Sequence, residues 1–198
     1  MSKRIPVQLN RQTAVPKVIG NLSDFLIIAG LSGSAQDIGA LTNGAPNAYI
    51  LGGAMGAPIS MGLGLALARP DHSILVVLGD GELLMSAGSL SAVAVMSPNN
   101  LSILCVDNGC YGETGNQVSA TAGPTDLALV ANGCGIPNTC TVSTEAEFEK
   151  GSALLRNPDG PSFVLLAVTE EPPPNHKRNF DGVEGKIAFR KHSLETID

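Results

Sequence analysis

Charged and aromatic residues are scarce in this 198-residue sequence, and tryptophan is absent. Only 15% of the residues are charged and the formal net charge is −6, so the chain lacks the basic surface that nucleic acids require. No apolar run reaches the ~18 residues of a membrane span, and the opening segment 1–12 has no hydrophobic core typical of a secretion signal. We therefore expect a cytoplasmic protein that binds neither nucleic acid nor membrane.

The cysteines show no pattern of metal binding or disulfide pairing. There are four of them, with no CxxC pair and no zinc-like spacing. We expect reduced thiols, and the cysteine in the apolar run at 101–106 is most simply a small buried hydrophobic residue.

What the chain has in abundance is short, continuous apolar runs separated by segments of helical length. Strands that are apolar throughout, and that alternate with helices, indicate a parallel sheet covered on both faces. The sequence therefore predicts an α/β fold with a doubly wound parallel sheet of about six strands. The predicted strands are 25–29, 47–51, 73–78, 101–106, 138–142 and 162–168, and the predicted helices are 34–42, 58–68, 82–96, 125–133 and 144–156.

Two of these strands end in a polar tripeptide, Gly79-Asp80-Gly81 and Asp107-Asn108-Gly109. In parallel sheets, ligands bind beyond the carboxyl ends of the strands. The start of the helix after Asp80 favours an anion such as phosphate, which the carboxylate itself would repel. A Mg²⁺ ion between the two removes this conflict, because Mg²⁺ takes carboxyl and amide oxygens together with phosphates. The tripeptides therefore predict a magnesium–phosphate site.

The two tripeptides together resemble the signature of thiamine-diphosphate-dependent enzymes, in which GDG is followed at a similar interval by two asparagines. Here 25 residues separate Gly81 from Asp107, which replaces the first asparagine, whereas Asn108 keeps the second. The resemblance implies the thiamine-diphosphate-binding fold, with thiamine diphosphate and Mg²⁺ as cofactors. It also implies that the Asp80 and Asn108 side chains and the Cys110 carbonyl hold the metal. The other residues that it places at the cofactor are Gly79, Gly81, Glu82, Tyr111, Gly112 and Thr114.

A second segment, LGGAMGAPISMGLGLALA at 51–68, is similar to the loop and helix that precede GDG in 2-oxo acid decarboxylases. In that family a bulky apolar side chain lies between the two rings of the cofactor and keeps the cofactor bent. The matching residue is Met55, which is thereby implied to be catalytic, with Gly53 and Ala54 beside the cofactor. Ordinary core packing is the alternative interpretation of Met55.

Within this family the chain looks most like the β subunit of sulfopyruvate decarboxylase and the related phosphonopyruvate decarboxylases. The resemblance implies a decarboxylase of a small 2-oxo acid, completed by an α subunit that supplies the activating glutamate, with homodimer pairing within the hetero-oligomer. One departure concerns a basic–acidic pair after the first strand, where this chain has Ser34-Ala35-Gln36-Asp37. If the basic residue holds a sulfonate or phosphonate, its absence leaves the substrate open.

Three alternatives remain at this point. The chain could act on another 2-oxo acid or catalyse carboligation, it could be a non-catalytic subunit, or it could be a nucleotide-binding dehydrogenase module. The last is disfavoured because GLSGSAQD, after the first strand, is not the GxGxxG fingerprint.

The end of the sequence differs from the rest in composition. Residues 1–170 are predicted to form the cofactor-binding domain, and residues 171–198 a proline-rich basic tail that leaves this domain or stays solvated.

Overall fold

The computed structural model describes residues 7–177, 179 and 181–194. In this part of the chain eight strands follow one another: β1 (Leu26–Ala29), β2 (Ala48–Ile50), β3 (Ile74–Gly79), β4 (Leu101–Asp107), β5 (Cys110–Tyr111), β6 (Gln117–Val118), β7 (Asn138–Val142) and β8 (Ser162–Ala167). Six of them form one parallel sheet in the order β2-β1-β3-β4-β8-β7. Strands β5 and β6 form a separate antiparallel hairpin.

Helices lie on both faces of this sheet. They are α1 (Arg11–Ile19), α2 (Gly33–Thr42), α3 (Ala57–Ala68), α4 (Asp80–Leu84), α5 (Ser89–Met96), α6 (Leu127–Gly133), α7 (Phe148–Leu154) and α8 (Gly182–Ser193). Alternate residues of the central strands belong to two separate hydrophobic cores, one under α1, α2 and α7 and one under α3, α5 and α6. The predicted doubly wound α/β fold is therefore confirmed, and so are its six strands.

The strand order places the reversal of the sheet between β1 and β3. From β1 the chain first moves outward to β2 and then returns to pair β3 with the other side of β1. A crevice opens outside the carboxyl ends of the strands at such a reversal. Leu31, after β1, and Asp80, after β3, lie at this crevice.

Two helices differ from the prediction. The predicted helix 82–96 is wrong as a single element, because a turn at residues 85–88 divides it into α4 and α5. The Ser89 hydroxyl donates to the carbonyl of Ser86 at 2.7 Å and stabilises this turn. Helix α1 was not predicted. It contains Pro16 and begins with polar residues, yet it buries Val15, Val18 and Ile19 against the sheet.

The C-terminal segment contains a helix that the composition did not indicate. Helix α8 contacts β2, and the ring of Phe189 packs on Tyr49 with 5.8 Å between the ring centroids. Residues 178, 180 and 195–198 of the predicted tail lie outside the described residues. The domain boundary at residue 170 stays a prediction.

No helix in the described ranges is long and apolar enough to cross a membrane.

Candidate cofactor site

A cavity of about 440 Å³ opens at the crevice between β1 and β3. It is bounded by the turn between β1 and α2, by the start of α4, and by the hairpin that follows β4. Ten of the twelve residues that the sequence assigned to the cofactor line it: Met55, Gly79, Asp80, Gly81, Glu82, Asn108, Cys110, Tyr111, Gly112 and Thr114. The structure thus brings the GDG and DNG segments and the methionine of the GGAMG loop to one place.

Asp80 is buried at the tip of β3, where two hydroxyl groups hold its carboxylate. Oδ2 accepts hydrogen bonds from the hydroxyl of Ser119 and, at 2.9 Å, from that of Thr121. Burial raises the pKa of Asp80 and the nearby charge of Asp107 raises it further, whereas the two hydroxyl groups lower it. Leaving a carboxylate ionised here is therefore unfavourable unless a cation joins it.

The tip of β4 is built around two side-chain to backbone hydrogen bonds. Asp107 Oδ1 accepts from the amide of Gly109 at 2.9 Å and from the hydroxyl of Thr121 at 2.7 Å. Asn108 Oδ1 accepts from the amide of Cys110 at 3.1 Å. Gly109 has φ +74°, a conformation that favours glycine, and it turns the chain into the hairpin.

These donors fit magnesium better than a transition metal. The described residues contain no group of three or more His, Cys, Asp and Glu side chains that could hold a metal. Asp80 offers a carboxylate, Asn108 an amide oxygen and Cys110 a backbone carbonyl, which are the hard oxygen ligands that Mg²⁺ combines with phosphate and water. The set fits Mg²⁺ beside a diphosphate. That these three residues are the ligands stays a prediction.

Glycines leave the backbone open around the site. A Cβ on Gly81 would lie 2.5 Å from the ring of Tyr111, and a Cβ on Gly112 would lie 3.4 Å from the hydroxyl of Ser32. The β1–α2 turn and the hairpin therefore approach each other closely across the cavity. Thr114, farther along the hairpin, donates through its hydroxyl to Gln117 Oε1 at 2.8 Å.

Glu82 is a second buried carboxylate, and one of its oxygens has no partner in the described chain. Oε2 accepts from the amide of Leu31 at 3.1 Å, whereas Oε1 makes no hydrogen bond. Burial raises the pKa of Glu82, and the backbone N–H groups of Leu31, Gly79 and Gly56 oppose this shift. The carboxylate lies against Gly30, where a side chain would collide with it. Glu82 thus joins the ends of β1 and β3 across the crevice.

Met55 lies in the loop before α3 and is 42% exposed, so it is not part of the core of this chain. Gly56 ends the loop at φ +83°, and its carbonyl accepts from the Ser86 hydroxyl at 2.7 Å. Gly53 and Ala54 lie on the exposed side of the loop and do not line the cavity of the described chain. Their predicted contact with the cofactor would therefore need a surface beyond this cavity.

Sequence reasoning missed several residues of the site because they come from other parts of the chain. Ser119 and Thr121 reach Asp80 from the far end of the hairpin, and Arg11 lines the cavity from α1. Arg11 forms a buried ion pair with Asp37, at 2.6 Å between Nη2 and Oδ2. The 34–37 segment, which lacks a basic residue, thus acquires one from elsewhere. The hydroxyl-rich sequence SAT at 119–121 was the one available signal.

Comparison with known proteins decides the family. Residues 33–166 match the sequence profile of the thiamine pyrophosphate enzyme, C-terminal TPP binding domain. The chain belongs to this family. Its cofactor is thiamine diphosphate, with which members of the family usually bind Mg²⁺, and the predicted class, a thiamine-diphosphate-dependent decarboxylase, is confirmed.

The similar proteins include subunits of sulfopyruvate decarboxylase and a phosphonopyruvate decarboxylase. The chain is 38% identical over 137 residues to the sulfopyruvate decarboxylase subunit beta of Methanocaldococcus jannaschii, covering 69% of this chain and 71% of that protein. It is 35% identical over 162 residues to the subunit of the same name from Methanothermobacter thermautotrophicus, covering 82% and 83%. The phosphonopyruvate decarboxylase of Streptomyces viridochromogenes is 34% identical over 161 residues, covering 80% of this chain and 39% of that protein.

Solved structures agree on the fold. Benzoylformate decarboxylase from Polynucleobacter necessarius aligns with a TM-score of 0.66 at 14% identity, over 88% of this chain and 36% of that one. The 2-oxoglutarate:ferredoxin oxidoreductase from Magnetococcus marinus aligns with a TM-score of 0.62 at 17% identity, over 95% and 78%. At such identities the likeness concerns the fold alone.

Proposed function

We propose that the chain is the cofactor-binding β subunit of a cytoplasmic, heteromeric 2-oxo acid decarboxylase that converts sulfopyruvate to sulfoacetaldehyde and CO₂. The activating glutamate would come from an α subunit, and two copies of the β chain would pair within the assembly. The two β-subunit relatives match most of this chain and most of their own length, which supports the assignment to a β subunit.

The observation that carries this proposal is the one-sidedness of the site. One chain brings together the predicted metal ligands Asp80, Asn108 and Cys110, but it leaves Met55 exposed at the rim. Glu82 is hydrogen bonded to Leu31, and the other glutamates at the cavity, Glu113, Glu170 and Glu171, lie at its exposed edge. None of them matches the context of the activating glutamate of the family.

Exposed apolar side chains on the contacting helices α3 and α5 support the need for a partner. We call this surface the α3–α5 face and define it by Met61 and Leu67 of α3 and by Val95 and Met96 of α5, all of them exposed. Helix α3 is apolar around its whole circumference although only one side packs on the sheet. Exposed apolar patches of this kind are typical of protein–protein interfaces.

The chemistry divides between the cofactor and the chain. When bound, thiamine diphosphate supplies a thiazolium ring that serves as an electron sink for the carbanion left by decarboxylation. Asp80, Asn108 and the Cys110 carbonyl would hold the metal and, through it, the diphosphate. Met55 would keep the two rings in the bent arrangement, and the hairpin would limit the access of water.

Co-expression with the neighbouring reading frame tests the proposal. The purified pair should release CO₂ from sulfopyruvate when Mg²⁺ and thiamine diphosphate are present, whereas the chain alone should be inactive. Activity of the chain alone would contradict the role of the partner. Release of CO₂ from phosphonopyruvate but not from sulfopyruvate would contradict the assignment of sulfopyruvate as the substrate.

Phosphonopyruvate is the second candidate substrate, because a phosphonopyruvate decarboxylase is 34% identical to the chain. Carboligation in place of simple decarboxylation would show itself as a longer 2-hydroxyketone product in the same assay. A dehydrogenase module is set aside, because the chain belongs to the thiamine pyrophosphate family.

A further inference from the structure

Arg11 is a buried cation at the wall of the cofactor cavity. It is only 5% exposed, and Asp37 holds it through two contacts, Nε to Oδ1 at 3.3 Å and Nη2 to Oδ2 at 2.6 Å. This pairing uses one edge of the guanidinium and leaves Nη1 outside it. The guanidinium lies against Gly33, and a side chain at position 33 would collide with it. Asp37 and Gly33 therefore fix the direction of Arg11.

A hydroxyl group without a partner lies in the same wall. Ser34 is 1% exposed and lines the cavity, and its Oγ makes no hydrogen bond within the described chain. Buried hydroxyl groups are nearly always hydrogen bonded, so an orphan at a cavity points to a ligand. Ser34 is also in the first turn of α2, whose amide groups receive no side-chain cap. The start of α2 thus offers donors for an anion.

The charges around the cavity make Arg11 distinctive. Among the described lining residues it alone carries a basic side chain, whereas the acidic ones are Asp80, Glu82, Glu113, Glu170 and Glu171. The predicted metal ion would neutralise the negative charge of the cofactor's diphosphate. A second anion in this cavity would have Arg11 as its one positive partner among these residues.

Arg11 lies at the edge of the cavity that the segment after β8 covers. Its chain neighbours fasten that segment, because the Asn10 amide contacts Glu171 and Gln12 Nε2 donates to the Pro172 carbonyl at 3.0 Å. Pro172 and Pro173 line the same cavity. Arg11 belongs to this rim, whereas the predicted metal ligands come from the tips of β3 and β4.

We propose that Arg11 and Ser34 form an anion subsite for the acidic group at the far end of the substrate, the end remote from the 2-oxo acid. The subsite would select three-carbon 2-oxo acids that carry a sulfonate or a phosphonate over those with an uncharged end. A guanidinium and a hydroxyl group suit the several oxygens of such a group. This inference rests on the proposed function and extends it to substrate selection.

Ser34→Ala gives the cleanest test, because the variant removes a hydroxyl group that has no partner in the chain and so should fold normally. In the complex with the α subunit, the KM for sulfopyruvate should rise about three- to tenfold, in line with the loss of one hydrogen bond. The KM for pyruvate, which has an uncharged end, and the Kd for thiamine diphosphate should not change. Ser23→Ala, in the exposed 3₁₀ turn Leu22–Asp24 that precedes β1 and away from the cavity, is the control.

Arg11 needs a paired substitution, because removing one partner of a buried ion pair leaves the other charge uncompensated. The variant Arg11→Gln/Asp37→Asn keeps polar side chains at both positions without charge. Its kcat/KM for sulfopyruvate relative to pyruvate should fall about 10- to 100-fold, as expected for a lost charge-assisted contact. The control Arg156→Gln/Asp24→Asn removes another Arg–Asp pair, at 2.8 Å, away from the cavity.

The outcomes distinguish a role of Arg11 in substrate binding from a role in binding the diphosphate. A fall in thiamine diphosphate affinity in step with the rise in KM would assign Arg11 to the diphosphate and overturn the proposal, and an unchanged substrate ratio would also overturn it. Equal losses in kcat/KM for sulfopyruvate and phosphonopyruvate would support a site that accepts either anion. A loss in kcat/KM for only one of them would identify the preferred acidic group. A parent complex that decarboxylates none of the three acids would overturn the proposed function and, with it, this assignment.

Discussion

The ring of Tyr111 lies directly over Gly81, so that a Cβ at position 81 would be 2.5 Å from Cδ1 and Cε1 of the ring. Gly81 is inside α4, where glycine is otherwise unfavourable. Close packing against Tyr111 therefore explains why the second residue after Gly79 in the GDG segment is a glycine. This glycine lets the hairpin after β4 approach the start of α4.

Gly81→Ala should push Tyr111 away and separate the hairpin from α4. We expect a loss of about 1–3 kcal/mol in the free energy of unfolding, as for other overpacked sites, and weaker binding of thiamine diphosphate with Mg²⁺. Urea denaturation of the chain and titration calorimetry of the complex measure the two effects. Gly64→Ala is the control, because a Cβ there meets nothing within 4 Å, and this variant should gain up to about 1 kcal/mol. Similar stability changes in the two variants would contradict the packing argument.

Asp80→Asn should abolish the dependence of cofactor binding on Mg²⁺ without unfolding the chain. Asparagine can still accept from Ser119 and Thr121, and burial already makes the ionised carboxylate unfavourable in the absence of a cation. The loss of affinity should exceed the roughly 10–100-fold that loss of an outer-shell partner of a metal costs. Calorimetric titration with and without Mg²⁺ measures it, and full Mg²⁺-dependent affinity in the variant would show that Asp80 is not a ligand.

Met55→Ala should slow turnover while leaving cofactor affinity nearly unchanged. Because Met55 is exposed in the isolated chain, the stability of that chain should change by less than about 0.5 kcal/mol. A loosened cofactor geometry can lower kcat by up to about 100-fold. Steady-state kinetics of the complex check this, with Leu129→Ala as an exposed apolar control on α6. An equally active Met55→Ala variant would remove the catalytic assignment.

Glu147→Gln should make stability less dependent on acid pH. Hydrogen bonds from the amides of Ser143 and Thr144 lower the pKa of Glu147 below its ordinary 4.5. A lowered pKa in the folded state stabilises the fold above pH 4.5 and loses that contribution as the pH falls through the folded value. The variant should therefore be less stable than the parent by about 1 kcal/mol at neutral pH, the usual worth of a helix cap.

The gap between the Glu147→Gln variant and the parent should close as the pH falls below 4.5. Urea denaturation at several pH values measures the gap. Glu145→Gln is the control, because Glu145 and Glu147 both belong to the 3₁₀ turn Glu145–Glu147 that precedes α7. A gap that stays constant through the acid range would contradict the role of the Glu147 charge.

The sheet could be predicted from the sequence because its strands are continuously apolar. Buried strands such as 74–79 and 101–107 contrast sharply with the polar turns that follow them, and the position of Asp80 and Asn108 at strand ends follows directly. Helix α1 could not be predicted in this way. Only its buried side carries Val15, Val18 and Ile19, and the proline within it argues locally against a helix.

The partners of the predicted site residues could not be predicted either, because they arrive through tertiary folding. Thr121 reaches Asp80 across 41 positions of the chain, and Arg11 reaches Asp37 across 26. No local pattern marks such contacts, since each depends on where the hairpin or α1 finally packs. Strand-end motifs locate a site, whereas the groups that tune its charge depend on the assembled fold.

The cluster of Asp80, Asp107, Ser119 and Thr121 has a consequence for how the site tolerates a change of charge. The two hydroxyl oxygens lie 2.8 Å apart; that of Thr121 contacts both carboxylates and that of Ser119 contacts Asp80, so the two hydroxyl protons serve four contacts. At any instant at least two of these contacts therefore lack a hydroxyl hydrogen. Rotation of two C–O bonds is enough to redistribute the protons, so the strand tips can adapt to an arriving ion by turning hydroxyl groups while the backbone stays still.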